Sequence, residues 1–216
     1  MIDRNWRRIA TGCGLAAPVV ALGVIVLATL IASPETFTWR GRALSDMGRY
    51  EARTFLLFNG GLILGGLLGV PFGWRLWLES RNVLERLGVV LLWAATVGLI
   101  GIGVFFLGHT EFYLDTYLHG VAAVLYFGAA PFAQWVYGSG LVLADEQRLG
   151  LYSLWLGIVH PLVWLGWLLS RTGTSDPTAW FAVPEFVAAL AFGLWIGLLA
   201  LEQYQRADSK PGKQRF

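Results

Sequence analysis

The sequence predicts an all-α polytopic membrane protein, a bundle of six transmembrane helices. Of its 216 residues, 56% are hydrophobic and only 14% are charged, whereas a soluble domain carries about 25% charged residues. Apolar runs of about 20 residues, the length that crosses a bilayer, recur along the chain. Six such helices use roughly 120 residues. We therefore expect a single transmembrane domain over residues 1–216.

Short polar segments separate the six predicted spans. The first span follows three arginines and is longer than the apolar core of a signal peptide, so we interpret it as a retained helix. In the last span, Asp176 is suited to cap the helix and Pro177 to occupy its first turn. The predicted bounds are about 9–32, 55–74, 87–108, 117–140, 149–169 and 177–201, and a polar tail follows over 202–216.

The distribution of basic residues predicts the orientation. With the N-terminus in the cytoplasm, that side receives 11 Lys and Arg residues and the opposite side 5. The positive-inside rule therefore favours cytoplasmic N- and C-termini in the cell membrane. The first outer loop, 33–54, opposes this trend because it alone holds four arginines: Arg40, Arg42, Arg49 and Arg53. These arginines either contact anionic lipid head groups or extend to the interface without a specific partner.

Four glycines recur every four residues in the second span: Gly61, Gly65, Gly69 and Gly73. A helix face without side chains lets a neighbouring helix approach closely, so we expect tight packing there. The alternative is an interface of a homo-oligomer or with another membrane protein.

Several classes of protein are excluded by residue placement. Both lysines, Lys210 and Lys213, lie in the tail, whereas a retinal Schiff base needs a lysine inside the bundle. The basic residues are scattered and the net charge is only +2, which argues against a nucleic-acid partner. Haem held by two histidines needs both histidines at the same depth in the bundle. Only His160 is expected near the middle of the membrane, so the sequence argues against a haem protein.

Ionisable residues gather in the outer half of the predicted bundle. At 1.5 Å per residue, Glu185 lies roughly 12 Å and His160 roughly 15 Å below the outer surface. They are on consecutive antiparallel helices, so we expect that they can pair. Pro161 should kink the helix and open a space beside His160. The opposite half offers Gln134 and little else, so the pattern predicts an outward-facing polar pocket.

The candidate site residues divide by role. Zinc in a catalytic site needs about three protein ligands and an open water position. The candidate metal ligands are His109, His119, Asp115 and His160; the candidate catalytic residues are Asp46, His119 and Glu185; and the candidate pocket residues are Ser45, Asn59 and Glu111. Asp46 also has a purely structural interpretation, as the cap of a short loop helix.

Two stretches carry a family resemblance. Ala43-Leu44-Ser45-Asp46-Met47-Gly48 is followed by Phe58-Asn59-Gly60-Gly61-Leu62 and Gly65, and later by His119 with Ala122 and Ala123. The pattern resembles the "domain of unknown function 998" family of prokaryotic six-helix membrane proteins, over about residues 9–202. The resemblance implies the fold and topology but no activity, and it directs attention to Asp46, Asn59 and His119.

A looser likeness is to the alkaline-ceramidase-like intramembrane hydrolases, which use zinc held by histidines. Their paired His-x-x-x-His is absent here, and six spans replace seven, so the likeness remains an analogy.

Three functions stay open. The first is a protein that binds membrane lipids in an outer pocket or supports a membrane complex, and we favour it. The second is an intramembrane metal-dependent hydrolase acting on lipids, with zinc activating water. The third is a small transporter or channel in which Glu185 and His160 respond to protons or cations.

Overall fold

The part of the chain that the structure describes folds into six long helices and one short 3₁₀ helix, η1. The computed structural model describes residues 4–108, 115–172, 175–176 and 178–208, and only the backbone of 115, 116, 207 and 208. The elements are α1 (Arg4–Ile31), η1 (Leu44–Gly48), α2 (Phe55–Glu79), α3 (Val83–Val104), α4 (Asp115–Leu143), α5 (Gln147–Ser170) and α6 (Ala182–Asp208). All six α-helices are long and apolar enough to cross a membrane. The predicted six-helix, all-α fold is confirmed.

The helices form a closed ring in chain order. Each helix packs on the next, α6 packs on α1, and α4 and α6 also touch across the ring. Arg75 near the end of α2 donates to the carbonyl of Arg7 at the start of α1, with 2.8 Å between Nη1 and O. Both described chain ends therefore lie at one end of the bundle, which we call the terminal end. The opposite end carries η1 and is called the η1 end.

The glycine face of α2 packs against two neighbours. A Cβ placed on Gly61 or Gly65 would meet side chains of α1, whereas one on Gly69 or Gly73 would meet side chains of α3. Each step of four residues turns about 40° beyond a full helical turn. The glycine face therefore winds around α2 from one neighbour to the other. The predicted tight packing is confirmed, and partners within the same chain supply it.

The predicted start of the last helix is wrong. Pro177 lies outside the described residues, but α6 begins only at Ala182. Asp176 Oδ1 accepts instead from the backbone N–H two residues later, at 3.2 Å. Trp180 has a φ of 63°, a left-handed conformation that an α-helix of L residues does not accommodate. Its N–H donates to the carbonyl of Arg40 at 2.7 Å, which joins the turn before α6 to the loop after α1.

The helices at the terminal end extend further than predicted. α1 begins at Arg4 rather than near residue 9, α2 ends at Glu79 rather than near 74, and α3 begins at Val83 rather than near 87. The hydrophobic runs mark only the apolar part of each helix. The backbone continues as helix into charged residues, and this brings many charges together at the terminal end.

Candidate functional site

A cavity of about 70 Å³ lies inside the ring, lined by residues of α1, η1, α2, α3, α4 and α6. Most of its lining is apolar and includes glycines of α2 together with Ala123, Ala189 and Phe192. Ser45 of η1, His119 and Glu185 also line it. All three belong to the η1 end, because His119 is in the second turn of α4 and Glu185 in the first turn of α6. The central cavity is therefore mostly apolar, with Thr96 and Tyr126 as polar residues along its length and its ionisable residues at one end.

Glu185 contacts η1 rather than His160. Its side chain is 7% exposed, and Oε2 accepts from the backbone N–H of Leu44 at 2.7 Å. The expected depth of roughly 12 Å counts along a helix that starts at Pro177, but α6 starts at Ala182 and Glu185 lies in its first turn. The expected pairing with His160 is wrong, because neither ring nitrogen of His160 has a hydrogen-bond partner among the described residues.

His119 is oriented by the end of the preceding helix. Its Nδ1 lies 2.9 Å from the carbonyl oxygen of Phe105, just beyond α3. A carbonyl only accepts, so Nδ1 carries the proton in this contact. In the neutral ring Nε2 is then an acceptor. The imidazole of this residue is largely buried and lines the central cavity.

Asp46 and Asn59 hold η1 in place. Asp46 Oδ2 accepts from the N–H of Ala43 at 2.9 Å, and its Oδ1 accepts from Arg49 Nε at 2.6 Å. Asn59 Nδ2 donates to the carbonyl of Gly48 at 2.8 Å. Asp46 therefore caps η1, as the structural interpretation of this residue predicted, because its carboxylate accepts from the N–H at the start of that helix. Asn59 links the end of η1 to α2.

His160 is buried without a polar partner. Its side chain is 2% exposed, and neither ring nitrogen has a hydrogen-bond partner among the described residues. The residues lining the central cavity do not include His160 or its neighbour Pro161. The space expected beside His160 is therefore not this cavity.

The candidate metal ligands do not converge within the described part of the chain. No three His, Cys, Asp or Glu residues there form a group able to hold a metal ion. His109 and Glu111 lie outside the described residues, and only the backbone of Asp115 is described. The zinc hypothesis consequently stays a sequence prediction.

A second polar region occupies the terminal end, where sequence reasoning expected Gln134 and little else. A cleft of about 440 Å³ is lined by residues of all six helices. Its basic residues, which give it the name arginine cleft, are Arg4, Arg7, Arg8, Arg75, Arg81 and Arg206. Three glutamates, Glu79, Glu85 and Glu202, share the lining. The expectation of a nonpolar terminal half is therefore wrong.

Arg75 is the most buried cation of the arginine cleft, with 5% of its surface exposed. In addition to the Arg7 carbonyl, it donates from Nη2 to Gln203 Oε1 at 2.9 Å and from Nε to Glu79 Oε1 at 3.3 Å. Three directions of its guanidinium are thus occupied by protein acceptors, which stabilises a buried charge. Arg75 joins α1, α2 and α6.

Glu85 anchors the start of α3. It is 1% exposed, and its carboxylate accepts from the backbone N–H of Arg81 at 2.6 Å and from Nη2 of the same residue at 2.7 Å. Asn82 caps the helix by accepting from the N–H of Glu85 at 3.0 Å, and its Nδ2 donates to the Gly140 carbonyl at 2.8 Å. This cap therefore fixes α3 to α4 as well.

Glu146 bridges two arginines at the start of α5. Its Oε1 lies 3.2 Å from Arg81 Nη1, and its Oε2 lies 2.6 Å from Arg206 Nη2. Burial alone would raise the pKa of Glu146, but the hydrogen bonds and charges of Arg206 and Arg81 outweigh it and hold this pKa below its ordinary value. The carboxylate form is therefore favoured at the terminal end.

Two sequence signals could have revealed this network. Asn82 followed by Glu85 is a helix N-terminus signature, because the glutamate three residues after a cap reaches back to the chain before the helix. Opposite charges spaced four residues apart occur at Arg75–Glu79, Arg81–Glu85 and Glu202–Arg206, and such pairs are neighbours on a helix. Only the arginines of these pairs enter the charge count that predicts the orientation.

The fold and the sites define a multi-pass membrane protein of six helices with an internal cavity. The chain belongs to the family described as "Protein of unknown function (DUF998)", whose model matches residues 6–202. The suspected family is confirmed. No curated protein matches the chain significantly, and no solved structure does.

Proposed function

We propose that the protein binds a membrane lipid at its central cavity, whose volume of about 70 Å³ admits only a segment of the lipid. One feature carries the proposal: the cavity is apolar along most of its lining, while Ser45, His119 and Glu185 lie together at the η1 end. A lipid has the same distribution of polarity, with a long apolar chain and a polar head. Burying an apolar chain contributes about 25 cal/mol per Å².

The hydrogen-bonding pattern indicates which head group is suited to the site. Glu185 uses Oε2 for the N–H of Leu44, while Oε1 has no partner among the described residues. His119 uses its Nδ1 proton for the Phe105 carbonyl, which leaves Nε2 to accept. Polar side chains gathered at one end of a largely apolar cavity favour a head group that forms hydrogen bonds, namely a hydroxyl or an amine.

The other two functions have less support. A hydrolase of the predicted type needs converging metal ligands; of the candidates, only His119 and His160 have described side chains, and the two do not line a common cavity. A transporter needs polar residues along a path, whereas the ionisable side chains of the central cavity lie at one end and only Thr96 and Tyr126 add polar groups further along it.

Lipid retention in a cavity variant tests the proposal. Ala123 lines the cavity, and Ala123→Leu fills part of it. The matched control is Val124→Leu on the same helix, where the native side chain is 74% exposed. Lipids extracted from the purified proteins are quantified by mass spectrometry. We expect bound lipid to fall several-fold in Ala123→Leu and to stay unchanged in the control. Wild-type protein without stoichiometric lipid, or equal retention by a folded Ala123→Leu, would overturn the proposal.

We further propose that both termini face the cytoplasm of the cell, which the ratio of 11 to 5 basic residues supports. In a Cys13→Ala background, Glu51→Cys introduces a thiol at the η1 end and Arg148→Cys one at the terminal end. With an impermeant maleimide on intact cells, we expect Glu51→Cys to react and Arg148→Cys to react only after permeabilisation. The reverse pattern contradicts this orientation.

A further inference from the structure

The arginine cleft carries more positive charge than its own carboxylates neutralise. Its six arginines face three glutamates in the lining, and Glu146 adds a fourth carboxylate through Arg81 and Arg206. Two positive charges therefore remain. The undescribed terminal segments, 1–3 and 209–216, hold three basic residues and one acidic residue by sequence, so they do not supply the missing negative charge.

The excess charge is localised on Arg4 and Arg8. Arg75 and Arg7 pair with Glu79, Arg81 pairs with Glu85, and Arg206 pairs with Glu202 and Glu146. Arg4 and Arg8 have no ion pair or hydrogen bond among the described residues. They are exposed and four residues apart in α1, so their side chains lie on the same face of the helix. Both line the cleft.

The floor of the arginine cleft is apolar. Leu76, Leu141, Leu149 and Leu199 line it together with Tyr137. A soluble anion gains nothing from such a floor, whereas a molecule with an anionic head and hydrocarbon chains contacts both parts. The composition of the cleft therefore favours an amphiphile over a free ion.

The cleft lies at the depth of lipid head groups. α1 has 28 residues and is about 42 Å long at 1.5 Å per residue. The hydrocarbon core of a bilayer is about 30 Å thick, so the first turns of α1 extend into the polar layer. Guanidinium groups bind phosphate oxygens through paired N–H donors.

We propose that the arginine cleft binds the phosphate head group of an anionic phospholipid, with Arg4 and Arg8 as the principal cations. Arg7 and Arg75 line the same cleft and pair with Glu79. The cleft around Arg4 and Arg8 is therefore already formed before a lipid binds. The proposal does not depend on the central cavity, because the two sites share no lining residue.

Competition between two lipids tests this site. The full chain in detergent is mixed with phosphatidylglycerol and phosphatidylcholine of identical acyl chains, and adducts are counted by native mass spectrometry. We expect phosphatidylglycerol adducts to dominate. In Arg4→Gln/Arg8→Gln the ratio of phosphatidylglycerol to phosphatidylcholine adducts should fall on the order of tenfold or more. Each arginine near an anionic head group adds its own share of the binding free energy, and this variant removes two. Folding is expected to persist because both side chains are exposed and unpaired.

Arg86→Gln/Arg148→Gln is the matched control, because it removes the same charge from exposed residues at the terminal end that do not line the cleft. Its adduct ratio should equal that of the wild type. An unchanged ratio in Arg4→Gln/Arg8→Gln, or an equal loss in the control, overturns the proposal. Competition by inorganic phosphate at concentrations similar to the lipid would show a soluble-anion site and also overturn it. Ala123→Leu should retain the preference for phosphatidylglycerol, which separates failure of this site from failure of the central cavity.

Discussion

The backbone N–H of Leu44 donates to Glu185 Oε2 over 2.7 Å, and 141 positions separate the two residues. This bond joins η1, which follows the first transmembrane helix, to the first turn of the last one. Both residues line the central cavity. The polar end of the cavity is consequently also a tertiary contact that holds the η1 end together.

Removal of the Glu185 carboxylate should destabilise the protein. Glu185→Ala leaves the buried N–H of Leu44 without an acceptor, and an unsatisfied buried donor costs about 1–3 kcal/mol. Glu185→Gln keeps an acceptor oxygen and should retain most of the stability. Denaturant unfolding in detergent measures both variants. A Glu185→Ala protein as stable as the wild type would show that this bond contributes nothing.

Enlargement of Gly48 should dislodge η1 from α2. A Cβ at Gly48 would lie 2.5 Å from Asn59 Oδ1 and 2.9 Å from Phe58 Cδ1, so Gly48→Ala should lower the free energy of unfolding by about 1–3 kcal/mol. Gly60→Ala is the control, because nothing lies within 4 Å of its added Cβ. In a helix that exchange should gain about 0.5–1 kcal/mol. Melting temperatures that shift equally for both would refute the predicted difference.

Replacement of His160 by an apolar residue should stabilise the protein. Both ring nitrogens are buried without a partner among the described residues, and unsatisfied buried polar groups cost about 1–3 kcal/mol. His160→Leu removes them at similar volume. His119→Leu should instead destabilise, because His119 loses its bond to Phe105. Thermal unfolding in detergent compares the two; a large loss of stability in His160→Leu would indicate a polar partner at this site.

Stability should depend on pH through Glu146. Its folded pKa lies below the ordinary value of 4.5, so its contribution is complete above pH 4.5 and disappears as the pH falls through the folded pKa. Because the side chain is 28% exposed, we expect no more than about 1 kcal/mol. Glu146→Gln should be less stable than wild type near neutral pH, and the difference should vanish in acid. The exposed Glu51→Gln serves as a control with no such difference. A gap that widens in acid contradicts the sign.

The features that the sequence predicted correctly are local ones. The six spans, the close approach on the glycine face of α2 and the capping alternative for Asp46 follow from local rules of length, spacing and side-chain chemistry. Each depends on residues close together in sequence. The family resemblance likewise depended on two short stretches around Asp46 and Asn59, and the match over residues 6–202 confirms it.

Depth and partner choice could not be predicted from the sequence. The expected Glu185–His160 pair depended on counting from Pro177, and the left-handed Trp180 moves the helix start to Ala182. The Arg75 network joins residues that are 68 and 128 positions apart. Such contacts are determined by the closure of the helix ring, which no single hydrophobic run encodes.

The three buried hydrogen bonds around η1 have a kinetic consequence. These bonds hold η1 over the polar end of the central cavity, and we call η1 in this position the roof. They join Leu44 N–H to Glu185, Thr54 Oγ1 to the Met47 carbonyl, and Asn59 to the Gly48 carbonyl. Each bond is worth about 0.5–1.5 kcal/mol, so opening the roof against all three slows passage by roughly two orders of magnitude. For the lipid proposed to bind at this cavity, exchange through the η1 end would therefore be slow and would depend on motion of η1.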